Sequence, residues 1–173
     1  GNTIGGTNAG DSITTGTNNT AIGKDALTAN TTGSQNTAVG ALAGDANTTG
    51  VRNTSIGYNA GSTTTTGNDN VAVGRQALVL NTTGDQNTAL GNSALEQNTT
   101  AQNNTAVGFY ALANNTTGQY NVSVGSLALD ANTTADSNVA VGYNALTKNT
   151  TGGANIAIGR NALQETTTTS DNT

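Results

Sequence analysis

The chain has 173 residues, of which 35 are Thr, 27 Asn, 25 Ala and 23 Gly, and five basic against ten acidic residues give a formal net charge of −5. Without His or Cys there is no imidazole base, no thiolate nucleophile and no zinc, haem or iron–sulfur site of the usual kinds. Without Pro, Met or Trp, and with a single Phe, the chain also lacks the bulky side chains that fill an ordinary globular core.

The acidic balance argues against nucleic acid and against anionic membrane surfaces, which need clustered Lys or Arg. The longest apolar run, Ala77 to Leu80, is far short of the roughly 18 residues of a membrane helix. No membrane insertion by this segment, no metal, no cofactor and no catalytic residue are therefore expected. Because the first residue is Gly1, the segment is read as part of a longer fibrous chain.

Self-similarity dominates everything else. Asn recurs at 2, 19, 36, 53, 70, 87, 104, 121, 138 and 155, a spacing of 17 with no insertion or deletion. Ten units starting at Asn2, Asn19, Asn36, Asn53, Asn70, Asn87, Asn104, Asn121, Asn138 and Asn155 fill one repeat domain over residues 1–173. Counted from that Asn, the unit reads N-(T/V/I)-(A/S)-(V/I/L)-G-x-x-A-(L/G)-x-x-(N/T)-T-T-(G/A)-x-x, and the first copy is degenerate. All 15 charged residues fall at unit positions 6, 7, 10, 11, 16 and 17. A disordered Thr/Asn/Gly linker has no reason to keep charge out of fixed slots, so the pattern describes an ordered repeat.

Along the unit, positions 2 to 4 alternate β-branched, small, β-branched, as in Val71-Ala72-Val73, which predicts a strand. The invariant Gly at position 5 (Gly40, Gly57, Gly74, Gly91, Gly108, Gly125 and Gly142 in the middle units) predicts a corner. The aliphatic residues at positions 2, 4 and 9 are expected inside and the charged slots outside. Invariant Thr at 13 and 14 predicts a second short strand, and Gly at 15 a second corner. Two short strands and two corners in 17 residues make one coil of an all-β parallel solenoid, or β-roll, because helical repeat units run from about 33 residues upward. Ten coils stacked about 4.8 Å apart give a rod of roughly 48 Å. The Asn column (Asn36, Asn53, Asn70, Asn87, Asn104, Asn121, Asn138) is then expected to be a hydrogen-bonded amide ladder, and the Thr columns hydroxyl and methyl ladders. So few large aliphatic residues per coil make a thin core, so the small-residue columns at positions 3 and 8 are expected to offer surfaces for side-by-side association, as a homotrimer or bundle.

The segments Asn36-Thr-Ala-Val-Gly40, Asn70-Val-Ala-Val-Gly74, Asn138-Val-Ala-Val-Gly142 and Asn155-Ile-Ala-Ile-Gly159 resemble the S-V-A-I-G-x-x-A repeat of YadA-like heads in trimeric autotransporter adhesins. The full 17-residue pattern more closely resembles the N-T-A-x-G-x-x-A-L-x-x-N-T-T-G repeats of phage tail-fibre-like proteins and large bacterial surface proteins. The resemblance implies a parallel β-roll with three chains side by side, an extracellular place on a bacterial cell surface or virion fibre, and a structural and adhesive role without catalytic residues. The YadA-type unit is commonly about 14 residues, so the Asn-Thr-Thr-Gly segment here is additional.

Three functions compete on this reading. The first is an adhesive fibre segment whose partners are copies of itself and a surface glycan or host receptor. The second is a filament subunit that assembles end to end. The third is an ice-binding solenoid, against which stands the adjacency of the two Thr, since neighbouring strand residues point to opposite faces. An enzyme is not expected: Asp11, Asp45, Glu96 and Asp130 share a column but lie two or three coils apart, too far for most paired-carboxylate chemistry. Seven Asn-Thr-Thr triplets, at Asn30, Asn47, Asn81, Asn98, Asn115, Asn132 and Asn149, match the N-x-[ST] glycosylation acceptor, but modification at seven sites on one column would collide with lateral packing. Phe109, Tyr110, Tyr120 and Tyr143 are the candidate partner contacts; the first three occupy positions 6, 7 and 17 of one unit, and Tyr143 shares the column of Phe109.

Overall fold

The computed structural model describes all residues, 1–173. It contains no helix and ten three-residue strands: β1 (Thr3–Gly5), β2 (Thr20–Ile22), β3 (Thr37–Val39), β4 (Thr54–Ile56), β5 (Val71–Val73), β6 (Thr88–Leu90), β7 (Thr105–Val107), β8 (Val122–Val124), β9 (Val139–Val141) and β10 (Ile156–Ile158). They form one parallel sheet in sequence order, each residue pairing with the residue 17 positions on, as in Thr37↔Thr54 and Ala38↔Ser55. The chain is a β-solenoid with one coil per 17-residue unit.

Each coil carries one strand where the sequence suggested two. Only 18 of the 111 backbone hydrogen bonds belong to the strands. Most of the others also run from coil to coil, so the stack is bonded around its whole girth. Positions 13 and 14 form a bend whose bonds converge on one carbonyl: Thr48 O accepts from the N–H groups of Thr31, Thr32 and Gly33. Convergence of that kind is incompatible with the evenly spaced bonds of a parallel ladder. The bend depends on close backbone approach at position 15. In the two units where Ala101 and Ala135 replace Gly there, the bond from the position-14 N–H to the next coil is missing at Thr100 and Thr134.

Between the strand and the bend the chain turns sharply three times. Gly at position 5 has φ between 124° and 141°, and positions 7 and 9 are left-handed in every coil. At position 9 this explains the alternation of Leu with Gly: Gly10, Gly44 and Gly61 adopt φ of 55–59° without strain, whereas Leu78, Leu95, Leu112, Leu129 and Leu146 adopt 51–53° and offset the cost by complete burial.

The interior differs from the sequence reading. The position-3 side chain points inward, and the aliphatic residues at 2 and 4 point out, as strand alternation requires once one face is chosen. The core consists of Ala at 3, Ala at 8 and Leu at 9, nearly all without solvent exposure, with Asn filling positions 1 and 12. The interior is already occupied by Leu at position 9 and by Asn at positions 1 and 12, and each strand adds only one small side chain to it. The Ala columns expected to serve as lateral surfaces are therefore sealed inside the coil. The core also divides: one cluster spans Ala9 to Ala43 and the other Ala60 to Ala157. The gap falls where Gly44 and Gly61 replace the large side chain at position 9 and Ser55 replaces Ala at position 3.

Candidate functional site

The outward alternation of the strands leaves a continuous aliphatic stripe on one face. Position 4 carries Ile22, Val39, Ile56, Val73, Leu90, Val107, Val124, Val141 and Ile158 in nine successive coils, half-buried or exposed, with Ile22, Leu90 and Val124 at 39%, 45% and 36%. Thr or Val at position 2 runs beside it. The stripe presents on the order of 500 Å² of apolar surface, near the upper end for a soluble monomer. Nothing in the amino-acid composition announces it, because the same residues satisfy a core pattern equally well.

Position 6 lies two residues from the stripe and so within about 7 Å along the backbone. Its column reads Thr7, Lys24, Ala41, Tyr58, Arg75, Asn92, Phe109, Ser126, Tyr143, Arg160. Phe109 (52% exposed) and Tyr143 (46%) both stand there, joined by Tyr58 (52%), which sequence reasoning passed over although its unit position is the same. Tyr110, at position 7, meets Phe109 edge to face with ring centroids 4.5 Å apart and planes at 74°. The Arg160 guanidinium lies 5.9 Å from the Tyr143 ring centroid. Tyr120 does not join them. It sits at position 17, on the other side of the strand, and stacks with no aromatic ring.

The Asn column at position 1 is the expected ladder. In Asn36, Asn53, Asn70, Asn87, Asn104, Asn121 and Asn138 the side-chain Oδ1 accepts the backbone N–H of the same Asn one coil on, at 2.9–3.1 Å. The Nδ2 of Asn36, Asn53, Asn70, Asn87, Asn104 and Asn121 donates across its own coil to the position-15 carbonyl at 2.8–2.9 Å. A second buried ladder, unanticipated, runs at position 12: Asn98 Nδ2 donates to Asn81 Oδ1 at 3.0 Å and to Ala101 O at 3.1 Å. These are the Asn of the glycosylation-like triplets, and in the folded coil they are fully buried apart from Asn47, at 2%. Thr at position 13 donates its hydroxyl to the position-13 carbonyl of the next coil, as Thr82 does to Thr99 O at 3.1 Å. Thr at position 14 points to solvent with no protein partner.

The corner glycines are fixed sterically. A Cβ on Gly91 would stand 2.7 Å from Gly108 C, and those on Gly57, Gly108, Gly125 and Gly142 would stand 2.7–2.8 Å from the carbonyl carbon of the glycine in the following coil. Gly40 and Gly74 are in the same position, with carbonyl carbons at 2.7 and 2.6 Å.

Charges pair along the rod. Arg52 grips Asp69 one coil on through Nε and Nη2 at 2.6 and 2.8 Å, lowering the Asp69 carboxyl below its ordinary value, and Lys148 reaches Glu165 at 2.7 Å. Lys24 pairs with its neighbour Asp25. Asp130, at position 10, is half-buried with an unpartnered Oδ1, and burial pushes its carboxyl up. No three metal-ligating side chains come together, and no helix is long and apolar enough to cross a membrane. Compared with known protein families, characterised proteins and solved structures, the chain matches none.

Proposed function

We propose that this chain is a structural and adhesive segment of an extracellular fibre, in which copies lie side by side against the position-4 stripe. The observation that carries the reading is the stripe itself: nine aliphatic side chains in unbroken register on one face of an otherwise polar rod. Burial of such a line against copies of the same chain adds the apolar core that a lumen of Ala and Leu does not supply. The rod is rigid in its own right, since every coil is hydrogen-bonded to the next through the strand, the bend and the position-1 Asn ladder, with the position-12 ladder adding bonds wherever Asn follows Asn. A fibre shaft or head needs that stiffness and a surface to present. The resemblance to trimeric adhesin heads and tail-fibre repeats supports three as the number of copies, and a bacterial surface or a virion as the setting.

Two outward Thr files favour ice binding, but the one at position 2 is broken by Val71, Val122, Val139 and Ile156, which leaves the file at position 14. It is a single file, because position 13 turns its hydroxyls into the coil stack and position 16 varies in charge and size, so no flat two-file array forms.

Light scattering tests the fibre reading. The native chain should have a mass of three times 17.0 kDa. The variant Val73→Thr/Leu90→Thr/Val107→Thr should keep its β-type circular dichroism and fall to a monomer. A native monomer, or a variant that remains assembled, overturns the proposal.

A further inference from the structure

We infer that the position-6 column is a docking line for a linear acidic polysaccharide lying parallel to the rod axis. This deepens the adhesive reading, on which it rests for the protein's access to such a polymer. The column holds three of the five cations of the chain, Lys24, Arg75 and Arg160, and three of its five aromatics, Tyr58, Phe109 and Tyr143, but none of its ten carboxylates. An acidic protein has thus gathered its positive charge along one line.

Two of these cations are free to act. Arg75 and Arg160 have no carboxylate within ion-pair distance, whereas Arg52 and Lys148, outside the column, are each held by an acid one coil away. Each free arginine follows an aromatic in the preceding coil, Tyr58 before Arg75 and Tyr143 before Arg160, and in the second pair the guanidinium sits over the ring. An exposed ring offers a stacking surface for the apolar face of a pyranose, and a guanidinium takes a carboxylate through two parallel N–H groups. The rings recur three coils and then two coils apart, about 14 and 10 Å, and the two arginines are five coils apart, about 24 Å. A chain of sugars with widely spaced carboxylates suits that sparse alternation. A nucleic acid does not, since it needs dense phosphate neutralisation that a protein of net charge −5 opposes.

The test titrates the native chain with a hyaluronan oligosaccharide, in which only every second sugar carries a carboxylate, with its neutral methyl ester, and with single-stranded DNA, by calorimetry at low and physiological salt, with light scattering run alongside. The acidic oligomer should bind, with affinity that falls as salt rises, and the ester should bind at least tenfold more weakly. Arg75→Ala/Arg160→Ala should abolish the difference between acid and ester. Tyr58→Ser/Phe109→Ser/Tyr143→Ser should weaken both tenfold or more without changing the oligomeric mass. Arg52→Ala/Tyr120→Ser, which removes a cation and an aromatic from position 17, should bind as the native chain does. Absence of binding, equal binding of acid and ester, tighter binding of DNA, loss of assembly in the aromatic variant, or an equal loss in the position-17 variant each overturns the inference. A native chain that is monomeric yet binds through position 6 removes the fibre reading alone.

Discussion

The sharpest prediction concerns Thr64, the residue that interrupts the position-12 ladder. In the neighbouring coils Asn47 and Asn81 occupy this slot. Asn47 donates to Asn30 Oδ1 at 3.0 Å, but its own Oδ1 is buried without a partner, because Thr64 makes no side-chain hydrogen bond to either adjacent coil. Asn81 reaches only Gly84 O, at 3.0 Å. The same orphan recurs at Asn149, where Thr166 follows it in the column, so the defect tracks the missing amide. Thr64→Asn should let the new amide donate to Asn47 Oδ1 and accept from Asn81 Nδ2. Relief of a buried orphan is worth about 1–3 kcal/mol, and a net hydrogen bond about 1 kcal/mol. The substitution should therefore stabilise the chain by about 1–3 kcal/mol in urea denaturation, against less than about 0.5 kcal/mol for Thr66→Asn at the exposed position 14. Because the core also divides at this junction, hydrogen exchange should show the coils of β1 to β3 opening more readily than the rest, and Thr64→Asn should slow them. Equal effects of the two substitutions, or a loss of stability at Thr64, would refute the ladder account.

Gly91→Val should cost several kcal/mol, since its Cβ would press on the Gly108 backbone and its φ of 141° excludes a β-branched residue, while Asn92→Ser should change little; similar denaturation midpoints would mean the corner is misplaced. At position 9, Leu112→Gly should destabilise no more than Leu112→Ala, because relief of a left-handed φ of 53° offsets the extra methyl lost; the usual penalty of about 1 kcal/mol for Gly relative to Ala would contradict this. Asp130 has a carboxyl raised by burial, so its charged form disfavours the folded state, and that cost disappears as pH falls through the raised value. Asp130→Asn should accordingly stabilise the chain at pH 7 and lose that advantage below pH 3; a gain independent of pH would point to packing instead.

Much of the coil was legible because the period is strict. The 17-residue spacing of Asn set the register, the invariant Gly at position 5 marked the corner, and the confinement of charge to six slots located the outer surface. What strand alternation alone leaves open is which face points inward. Val71-Ala72-Val73 satisfies an aliphatic core or an Ala core equally well, and the choice follows from how tightly the backbone turns at positions 5, 7 and 9, where Gln76 and Leu78 take positive φ that no propensity predicts. Thr at 13 and 14 suggested a strand because β-branched residues favour one, but convergent hydrogen bonding on a single carbonyl makes it a bend. The second Asn ladder hid behind its match to a glycosylation acceptor. The column shared by Tyr58, Phe109 and Tyr143 is readable from the 17-residue register, but Tyr58 is the sole aromatic of its unit, whereas the unit starting at Asn104 holds three and masks the column.

Small-angle X-ray scattering on the native chain, read for mass and rod length together, tests the central claim most directly. Lateral assembly through the position-4 stripe predicts a rod of about 48 Å, the length of ten coils, at three times the mass of one chain. A single-chain mass, or a length that grows in proportion to mass as end-to-end joining would require, would contradict it.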